Sequence, residues 1–459
     1  MINMKRILWI ITLLSAINVF RCEAESSAEL DDLISETSLW KNVPGEIMKS
    51  YKALGFQFVD GKKVAKSNHA ELEFRGFNVW EARIYFESDA LSSVELSVYN
   101  KGDAGELSKE EFEKIIKALV ANLTELTGSR GITGKVSNDR ANYYINRRLW
   151  HVNEIGIRLE WAFVNAHRSG RSMQPFRAEF VKVVLGRKKK SAISGLKKDR
   201  PDWARLISGR TLKVNLKQNS AGDIWVDNIP MVDQGQKGYC AAASAERVLR
   251  YYGWQGDQHE IAQLADTAAK GGTSLEGMID ALAVVGKRYH LNDKELLKTS
   301  RSRSFERGAF YNMIKLYNRE AKSKKAAEID YKNFCNMQGN TRVINSIRIY
   351  EAMDPTILKD SKVSQRQSYA KFQQNISNYV KQGVPLFWAC FVGKYPETPD
   401  LGKNGAFGHV RLIIGINQKT EELIYSDSWG PRHALKRMPL SNAWAMTFGL
   451  TVLKPRDVR

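Results

Sequence analysis

Cysteine is scarce in this chain, which has four among its 459 residues. Scaffolds that depend on disulfide bonds need a higher density of cysteines, so that class of fold is excluded. Internal repeats and low-complexity tracts are absent as well. Hydrophobic residues make up 43% and charged residues 26%, proportions that are ordinary for a globular protein whose length suits two or three domains.

Long apolar runs are equally rare. The clearest extends from Ile7 to Phe20, and it is too short to span a bilayer comfortably. Basic residues precede this run and small residues around Ala24 follow it, which is the pattern of a secretory signal peptide. The sequence therefore predicts a signal peptide over residues 1–24, a secreted or periplasmic mature protein, and no membrane span.

Acidic residues are outnumbered by basic ones, and the formal net charge is +20. Such a charge attracts acidic surfaces, including cell envelopes and nucleic acid. The basic residues are scattered apart from one run, Arg187 to Lys190, and helix-turn-helix, zinc-finger and aromatic–basic motifs are absent. No specific nucleic-acid partner is predicted, and the charge is compatible either with attraction to acidic envelope surfaces or with a simply solvated surface.

The first half of the chain predicts a small α+β domain over residues 27–186. Its start, residues 27–60, has a helical and loop-like pattern. Ser108 and Glu111 form a capping box before an apolar stripe that ends at Gly128, which predicts a helix. Alternating apolar residues predict strands on both sides of that helix, at 80–86, 94–98, 155–163 and 176–185. No catalytic constellation is present here, which favours an accessory or binding domain.

A basic, polar connection over residues 187–222 leads to a second predicted domain, residues 223–459. In that domain Thr273 and Glu276 form a second capping box. Residues 293–380 have a mostly helical pattern that suggests an insertion. The continuous apolar run from Val384 to Val392 predicts a buried strand.

One segment of the second domain carries candidate chemistry. Cys240 follows two glycines and begins a helical pattern that stops at Gly253. The positive end of a helix favours a thiolate over a thiol. Gln234 precedes this helix, and its amide can donate a hydrogen bond to an oxygen that becomes negative during acyl transfer. A buried structural cysteine is the alternative interpretation, because unpaired cysteines are often buried.

A second segment supplies an imidazole and a carboxylate. His409 opens an apolar strand, and Asp427 follows the next strand after a turn near residue 418. A hairpin centred on that residue would place the two side chains directly opposite each other, about 4.5–5.5 Å apart at Cβ. A structural histidine and a turn-forming aspartate are the alternative interpretation, and His433 is a rival base.

Together the two segments resemble papain-fold cysteine peptidases, most closely the C39-like family, over the C-terminal half of the chain. The shared patterns are Gln-Gly-x-x-Gly-x-Cys ending at Cys240 and Asp-Ser-Trp-Gly beginning at Asp427; Ala241 stands where papain has a tryptophan. The resemblance implies a papain-like fold of helix plus antiparallel sheet. It also implies a Cys240–His409–Asp427 triad with Gln234 in the oxyanion hole and Trp429 as a shield.

The same resemblance implies a peptide or protein substrate and no metal or organic cofactor. Two other functions stay open, a transglutaminase-like acyl transferase and a secreted binding protein whose papain-like domain is inactive. Cys22 would be removed with the signal peptide. Cys335 and Cys390 could then form a disulfide that leaves Cys240 as the unpaired thiol, although the sequence does not establish that pairing.

Overall fold

The computed structural model describes residues 29–138, 143–169, 172–187, 209–235, 238–254, 258–264, 275–297, 303–338, 341–401 and 406–456. The predicted signal peptide, the Thr273 end of the second capping box and most of the basic connection lie outside these ranges. In the described part of the chain, no helix combines the length and the apolar character needed to cross a membrane.

The fold is mixed α+β with antiparallel sheets, as the sequence predicts. The N-terminal half contains helices α1 (Asp32–Ser35), α2 (Pro44–Ser50), α3 (Lys101–Ala104) and α4 (Lys109–Thr127). Its strands are β1 (Gln57–Asp60), β2 (Val64–Ser67), β3 (Glu73–Phe74), β4 (Phe77–Asn78), β5 (Glu81–Glu87), β6 (Ala90–Asn100), β7 (Ile132–Asn138), β8 (Tyr143–Val152), β9 (Ile155–Val164), β10 (His167–Ser169), β11 (Ser172–Gln174) and β12 (Arg177–Arg187).

Eight of these strands form one sheet in the order β1-β2-β5-β6-β12-β9-β8-β7. The predicted helix is present as α4, and its capping box is confirmed: the Ser108 hydroxyl accepts from the Glu111 N–H, and the Glu111 carboxylate accepts from the Ser108 N–H. The four predicted strands correspond to β5, β6, β9 and β12. The prediction for residues 27–60 is wrong at its end, since β1 joins the sheet there.

The C-terminal half contains helices α5 (Gly209–Leu212), α6 (Cys240–Tyr251), α7 (Gln258–Leu264), α8 (Leu275–Arg288), α9 (Arg303–Ser323), α10 (Ser346–Ala352), α11 (Pro355–Val363), α12 (Arg366–Val380) and α13 (Leu440–Met446). Its strands are β13 (Leu216–Gln218), β14 (Asp223–Val226), β15 (Leu291–Leu297), β16 (Cys335–Gln338), β17 (Thr341–Ile344), β18 (Leu386–Val392), β19 (Phe407–Asn417), β20 (Glu422–Ser426), β21 (Lys436–Pro439) and β22 (Thr447–Pro455).

The main C-terminal sheet runs β13-β14-β19-β18-β22-β15, and β20 and β21 continue from the other edge of β19. Because β13 pairs with β14, this sheet includes residues that the sequence analysis assigned to the connection. The predicted insertion also begins later than residue 293, since β15 pairs with β22. The described residues in the rest of that region are largely helical, apart from the hairpin of β16 and β17.

Helix α6 is the central helix of the C-terminal half. Its residues from Cys240 to Leu249 are all buried, and it packs against β19, where the Ser244 hydroxyl lies 3.4 Å from the Val410 carbonyl oxygen. Small side chains on α6 allow this close approach of helix to sheet. The helix ends as predicted before Gly253, whose positive φ of 83° suits glycine. Packing of α6 on β19 therefore brings the start of the helix close to the start of the strand.

Candidate active site

Cys240 is the first residue of α6, and 9% of its surface is exposed. Burial by itself would raise the pKa of the thiol. A hydrogen bond and positive charge from His409 oppose burial, together with backbone contacts from Val410 and Ala241, and the resulting pKa lies below the ordinary value. The environment of Cys240 therefore favours the thiolate, which is the nucleophilic form.

His409 lies on β19, and its ring contacts both Cys240 and Asp427. The distance from His409 Nε2 to Asp427 Oδ1 is 2.6 Å, which leaves Nδ1 as the nitrogen available to the Cys240 thiol. Burial lowers the pKa of the imidazole, but the Asp427 carboxylate and the Cys240 thiol raise it more, to about 9. The imidazolium is therefore the stable form of His409 at neutral pH.

Trp429 covers the His409 ring. The two rings are stacked, with centroids 4.1 Å apart and planes 7° from parallel. Phe407 contacts both rings edge-on, at 6.1 Å from the centroid of His409 and 6.0 Å from that of Trp429. The resemblance implied a shield at Trp429, and this arrangement shields the His409–Asp427 contact from water.

Asp427 is completely buried, and both of its carboxylate oxygens interact with other groups. Oδ1 contacts His409 Nε2 and accepts from the Ser428 N–H at 2.8 Å, while Oδ2 forms an ion pair with Arg411 Nε at 2.9 Å. Burial would raise the pKa of this carboxyl group, but the charges of His409 and Arg411 hold it well below its usual range. Asp427 is thus a fixed negative charge that orients the imidazole.

The predicted register of the hairpin that carries His409 and Asp427 is wrong. Strands β19 and β20 pair Leu412 with Ser426, and a bulge at Ile414 follows. Extending this register places Arg411, and not His409, opposite Asp427. His409 reaches Asp427 along the diagonal, a separation that long side chains can bridge.

The turn explains the shift in register. It occupies residues 418–421, so its centre lies beyond residue 418. The Asn417 side chain stabilises it by accepting from the backbone N–H groups of Lys419 and Thr420. Glu421 completes the turn with a φ of +53°. Hydrogen bonds of this kind fix the length of a turn, and the alternation of apolar residues in the flanking strands does not reveal that length.

Gln234 is 3% exposed and is joined to the segment after β20 by two hydrogen bonds. Its backbone N–H donates to the Ser428 carbonyl at 2.9 Å, and its Oε1 accepts from the Ser428 hydroxyl at 2.6 Å. Oε1 of Gln234 faces Ser428, and Nε2 is the end of the amide that carries the hydrogen-bond donors. The turn after it is closed by Asp233 Oδ1, which accepts from the Gly235 N–H at 2.8 Å.

Buried charges behind the triad were missed in the sequence analysis. Arg411 forms two hydrogen bonds of 2.9 Å to Glu397, and Glu397 also accepts from Lys436 at 2.8 Å and from the Tyr425 hydroxyl at 2.9 Å. At most 1% of each of the side chains of Arg411, Glu397 and Lys436 is exposed. Arg411 follows His409 by two positions and so lies on the same face of β19, which is the signal that could have identified it.

Arg247 was also missed. It lies on α6 seven positions after Cys240, and therefore on a similar face of the helix. Its guanidinium donates to the Asp427 carbonyl at 2.9 Å, to the Pro230 carbonyl at 2.8 Å and to the Ser426 hydroxyl at 2.5 Å. These bonds join the helix that carries Cys240 to the strand end that carries Asp427.

The remaining candidates lie outside the triad. His433 lies beside Trp429, with the two ring centroids 6.1 Å apart and the ring planes nearly perpendicular. The suggested disulfide is absent: Cys335 lies in the β16–β17 hairpin and Cys390 in β18, and both thiols are unpaired. Cys390 stands opposite His409 across β18 and β19, but burial raises the pKa of its thiol, so it is a poor nucleophile.

In the residues that the structure describes, no group of three or more His, Cys, Asp and Glu side chains is arranged to hold a metal ion. The chain matches no protein-family model, and no curated protein matches it. The arrangement of side chains at this site therefore carries the functional argument.

The pH dependence of Cys240 alkylation tests the electrostatics of the site. Because the pKa of the thiol is lowered, the midpoint for modification of Cys240 by iodoacetamide should lie below about 8.5, the usual midpoint for a thiol. In His409→Ala the hydrogen bond and positive charge that lower the pKa of the Cys240 thiol are lost, while its burial remains. The pH midpoint of alkylation should therefore move upward. The measurement is the alkylation rate against pH, followed by peptide mapping so that Cys335 and Cys390 are counted separately. Equal midpoints for the two proteins would contradict this account.

Proposed function

We propose that the protein is an exported, papain-like cysteine peptidase of the C39-like type. The observation that carries the proposal is the chain of contacts from the Cys240 thiol to the His409 ring and on to the Asp427 carboxylate, 2.6 Å from Nε2. A nucleophile at the start of a helix, with its base on an adjacent antiparallel strand, supports a papain-like fold. The predicted signal peptide supports export.

In the proposed mechanism His409 holds the proton of Cys240, giving a thiolate–imidazolium pair. The thiolate attacks a peptide carbonyl carbon, and the carbonyl oxygen becomes an oxyanion. Gln234 Nε2 and the Cys240 N–H donate to that oxygen. His409 then gives its proton to the leaving amine as the carbon–nitrogen bond breaks, and a water molecule hydrolyses the thioester. Asp427 keeps the ring oriented and stabilises its positive charge.

The proposal is tested by incubating the mature protein with a peptide library and sequencing the products. Cleavage at defined bonds is expected, and it should fall above pH about 9 as the His409 imidazolium loses its proton. A parallel incubation contains a glutamine peptide and a primary amine. Amide exchange without cleavage would replace the peptidase proposal with the transglutaminase-like alternative. Absence of both reactions, with Cys240 unreactive to an epoxide probe, would favour the inactive binding protein.

Gln234→Ala tests the oxyanion assignment. Loss of one oxyanion donor typically lowers kcat by about 10²–10³-fold. Alkylation of Cys240 by iodoacetamide should keep its rate, because alkylation develops no oxyanion. The matched variant is Ser428→Ala, which removes the partner of Gln234 Oε1 and retains the amide, so its loss of kcat should be smaller. A normal kcat in Gln234→Ala would remove this residue from the mechanism.

A further inference from the structure

The N-terminal sheet contacts the segment that carries Gln234. Lys66, on β2, donates from Nζ to the backbone carbonyl of Asp233 at 2.8 Å, across 167 residues of sequence. Asp233 directly precedes Gln234. The side chain of Lys66 is 5% exposed and forms an ion pair with Glu81 at 3.2 Å. Burying an ammonium group is costly unless its hydrogen-bond and ion-pair partners are in place. The position of the Asp233 carbonyl relative to Lys66 is therefore closely constrained.

The same face of the N-terminal sheet also contacts the helix that carries Cys240. Arg83 is the cross-strand partner of Lys66, and its guanidinium lies 2.6 Å from Glu81 and 3.7 Å from Glu246 of α6. Glu246 is fully buried, and it also pairs with Arg250 of its own helix at 2.5 Å. A continuous chain of buried charges therefore runs from the Gln234 segment through β2 and β5 to the nucleophile helix.

Two further contacts bring the sheet close to the nucleophile. Arg250 Nη2 lies 3.2 Å from the Tyr85 hydroxyl oxygen, and its guanidinium lies over the Tyr85 ring. Tyr239, the residue before Cys240, packs closely on Gly102. A Cβ atom added to Gly102 would lie 2.8 Å from the Tyr239 ring. The N-terminal half is thus packed against the segment that leads to Cys240 at two places, Asp233 and Tyr239.

We propose that the N-terminal sheet is part of the catalytic unit and that Lys66 is a positioning residue for the oxyanion glutamine. Gln234 is held from one side by Ser428 and from the other, through the Asp233 carbonyl, by Lys66. Lys66 contacts the backbone of the residue before Gln234, and it acts on catalysis through Gln234. This inference rests on the proposed peptidase function for its catalytic consequence, but the holding of the Gln234 segment by Lys66 can be measured without any substrate.

The test uses the full mature chain with Lys66→Met, Gln234→Ala and the double variant. Lys66→Met leaves Glu81 paired with Arg83. A displacement of about 1 Å at a catalytic group costs up to about 10²-fold in rate, so kcat should fall by about 10- to 100-fold with little change in KM. In the Gln234→Ala background Lys66→Met should cost little more, because the group it positions is gone.

Lys182→Met is the matched control, since Lys182 is also buried in the N-terminal sheet and pairs with Glu160 and Glu95 of that sheet. Its kcat should stay close to that of the wild type. Alkylation of Cys240 should be unchanged in Lys66→Met. Two results would overturn the proposal, because each would mean that Lys66 supports packing in general. One is a double variant whose loss of kcat equals the product of the two single losses. The other is alkylation of Cys240 that slows in Lys66→Met as much as turnover does.

Hydrogen exchange separates this inference from the peptidase proposal. Lys66→Met should speed exchange of the Gln234 N–H, which donates to the Ser428 carbonyl, whereas Lys182→Met should leave it unchanged. If the Gln234 N–H exchanges at the same rate in Lys66→Met and Lys182→Met, the inference is overturned, whether or not the wild type cleaves peptides. If Lys66→Met does not fold, Lys66→Gln replaces it, because the shorter neutral side chain also loses the donation to Asp233. The same pattern of kcat and exchange is then expected.

Discussion

Replacing Cys240 with alanine is expected to abolish peptide cleavage while the protein stays folded. Loss of the nucleophile in enzymes of this mechanism lowers kcat by at least about 10⁴-fold. The fold should survive because alanine fits the start of a helix and already occupies the positions that follow, from Ala241 to Ala243. Steady-state cleavage of the best library peptide measures the first effect, and circular dichroism with urea unfolding measures the second.

Cys390→Ala is the control for this prediction. Cys390 is another buried thiol and lies opposite His409 across the sheet, but its pKa is raised by burial, whereas that of Cys240 is lowered. Cleavage should therefore persist in Cys390→Ala. Loss of activity in that variant together with retained activity in Cys240→Ala would move the nucleophile from the helix to the sheet, and the mechanism described above would fail.

Replacing Arg411 with methionine is expected to destabilise the protein strongly and to impair catalysis. Arg411 lies between two buried carboxylates, Asp427 and Glu397, and its own side chain has no exposed surface. Removing one member of a buried charge group leaves the others uncompensated and typically costs about 3–5 kcal/mol. The free energy of unfolding from urea titration measures this loss. Activity should fall as well, since Asp427 loses one of the two cations, His409 and Arg411, that keep its carboxyl group ionised.

Arg437→Met is the matched control for Arg411. Arg437 lies on β21, its side chain is 40% exposed, and it pairs with Asp223 and Glu422. Asp223 retains hydrogen bonds from Asn219 and Asn417 when this arginine is removed. Because Arg437 is partly exposed to solvent and Asp223 keeps two other hydrogen bonds, the free energy of unfolding should fall by less than in Arg411→Met. Equal losses of unfolding free energy in Arg411→Met and Arg437→Met would indicate that burial of Arg411 does not increase its contribution to stability.

Patterns confined to short segments predicted much of this fold. The capping box of Ser108 and Glu111 and the apolar stripe behind it predicted α4, because both features act within a few residues. The stop at Gly253 is local in the same sense. Strand β1 was missed because its burial comes from pairing with β2 at the edge of a sheet and not from a regular alternation of its own residues.

The candidate site was predictable in its membership but not in its geometry. Cys240, Gln234, His409 and Asp427 each stood in a recognisable local context. The structure places the His409 ring in contact with Cys240 and Asp427, and it joins Gln234 to Ser428, the residue after Asp427. The hairpin register was mispredicted because hydrogen bonds from the Asn417 side chain set the turn. The contact of Lys66 with Asp233 spans 167 residues, and nothing within either segment indicates it. Charges buried between distant segments depend on packing, which a single sequence does not reveal.

The most direct measurement is to trap the covalent intermediate. The wild-type protein is mixed with a peptide that it cleaves, or with an activated ester of that peptide. The reaction is quenched in acid, and the protein is mapped by mass spectrometry. We expect an acyl group in thioester linkage on Cys240, removable by hydroxylamine and absent from Cys240→Ala. Peptide cleavage that proceeds with no acyl group on Cys240, or with one on Cys335 or Cys390, would contradict the proposed mechanism.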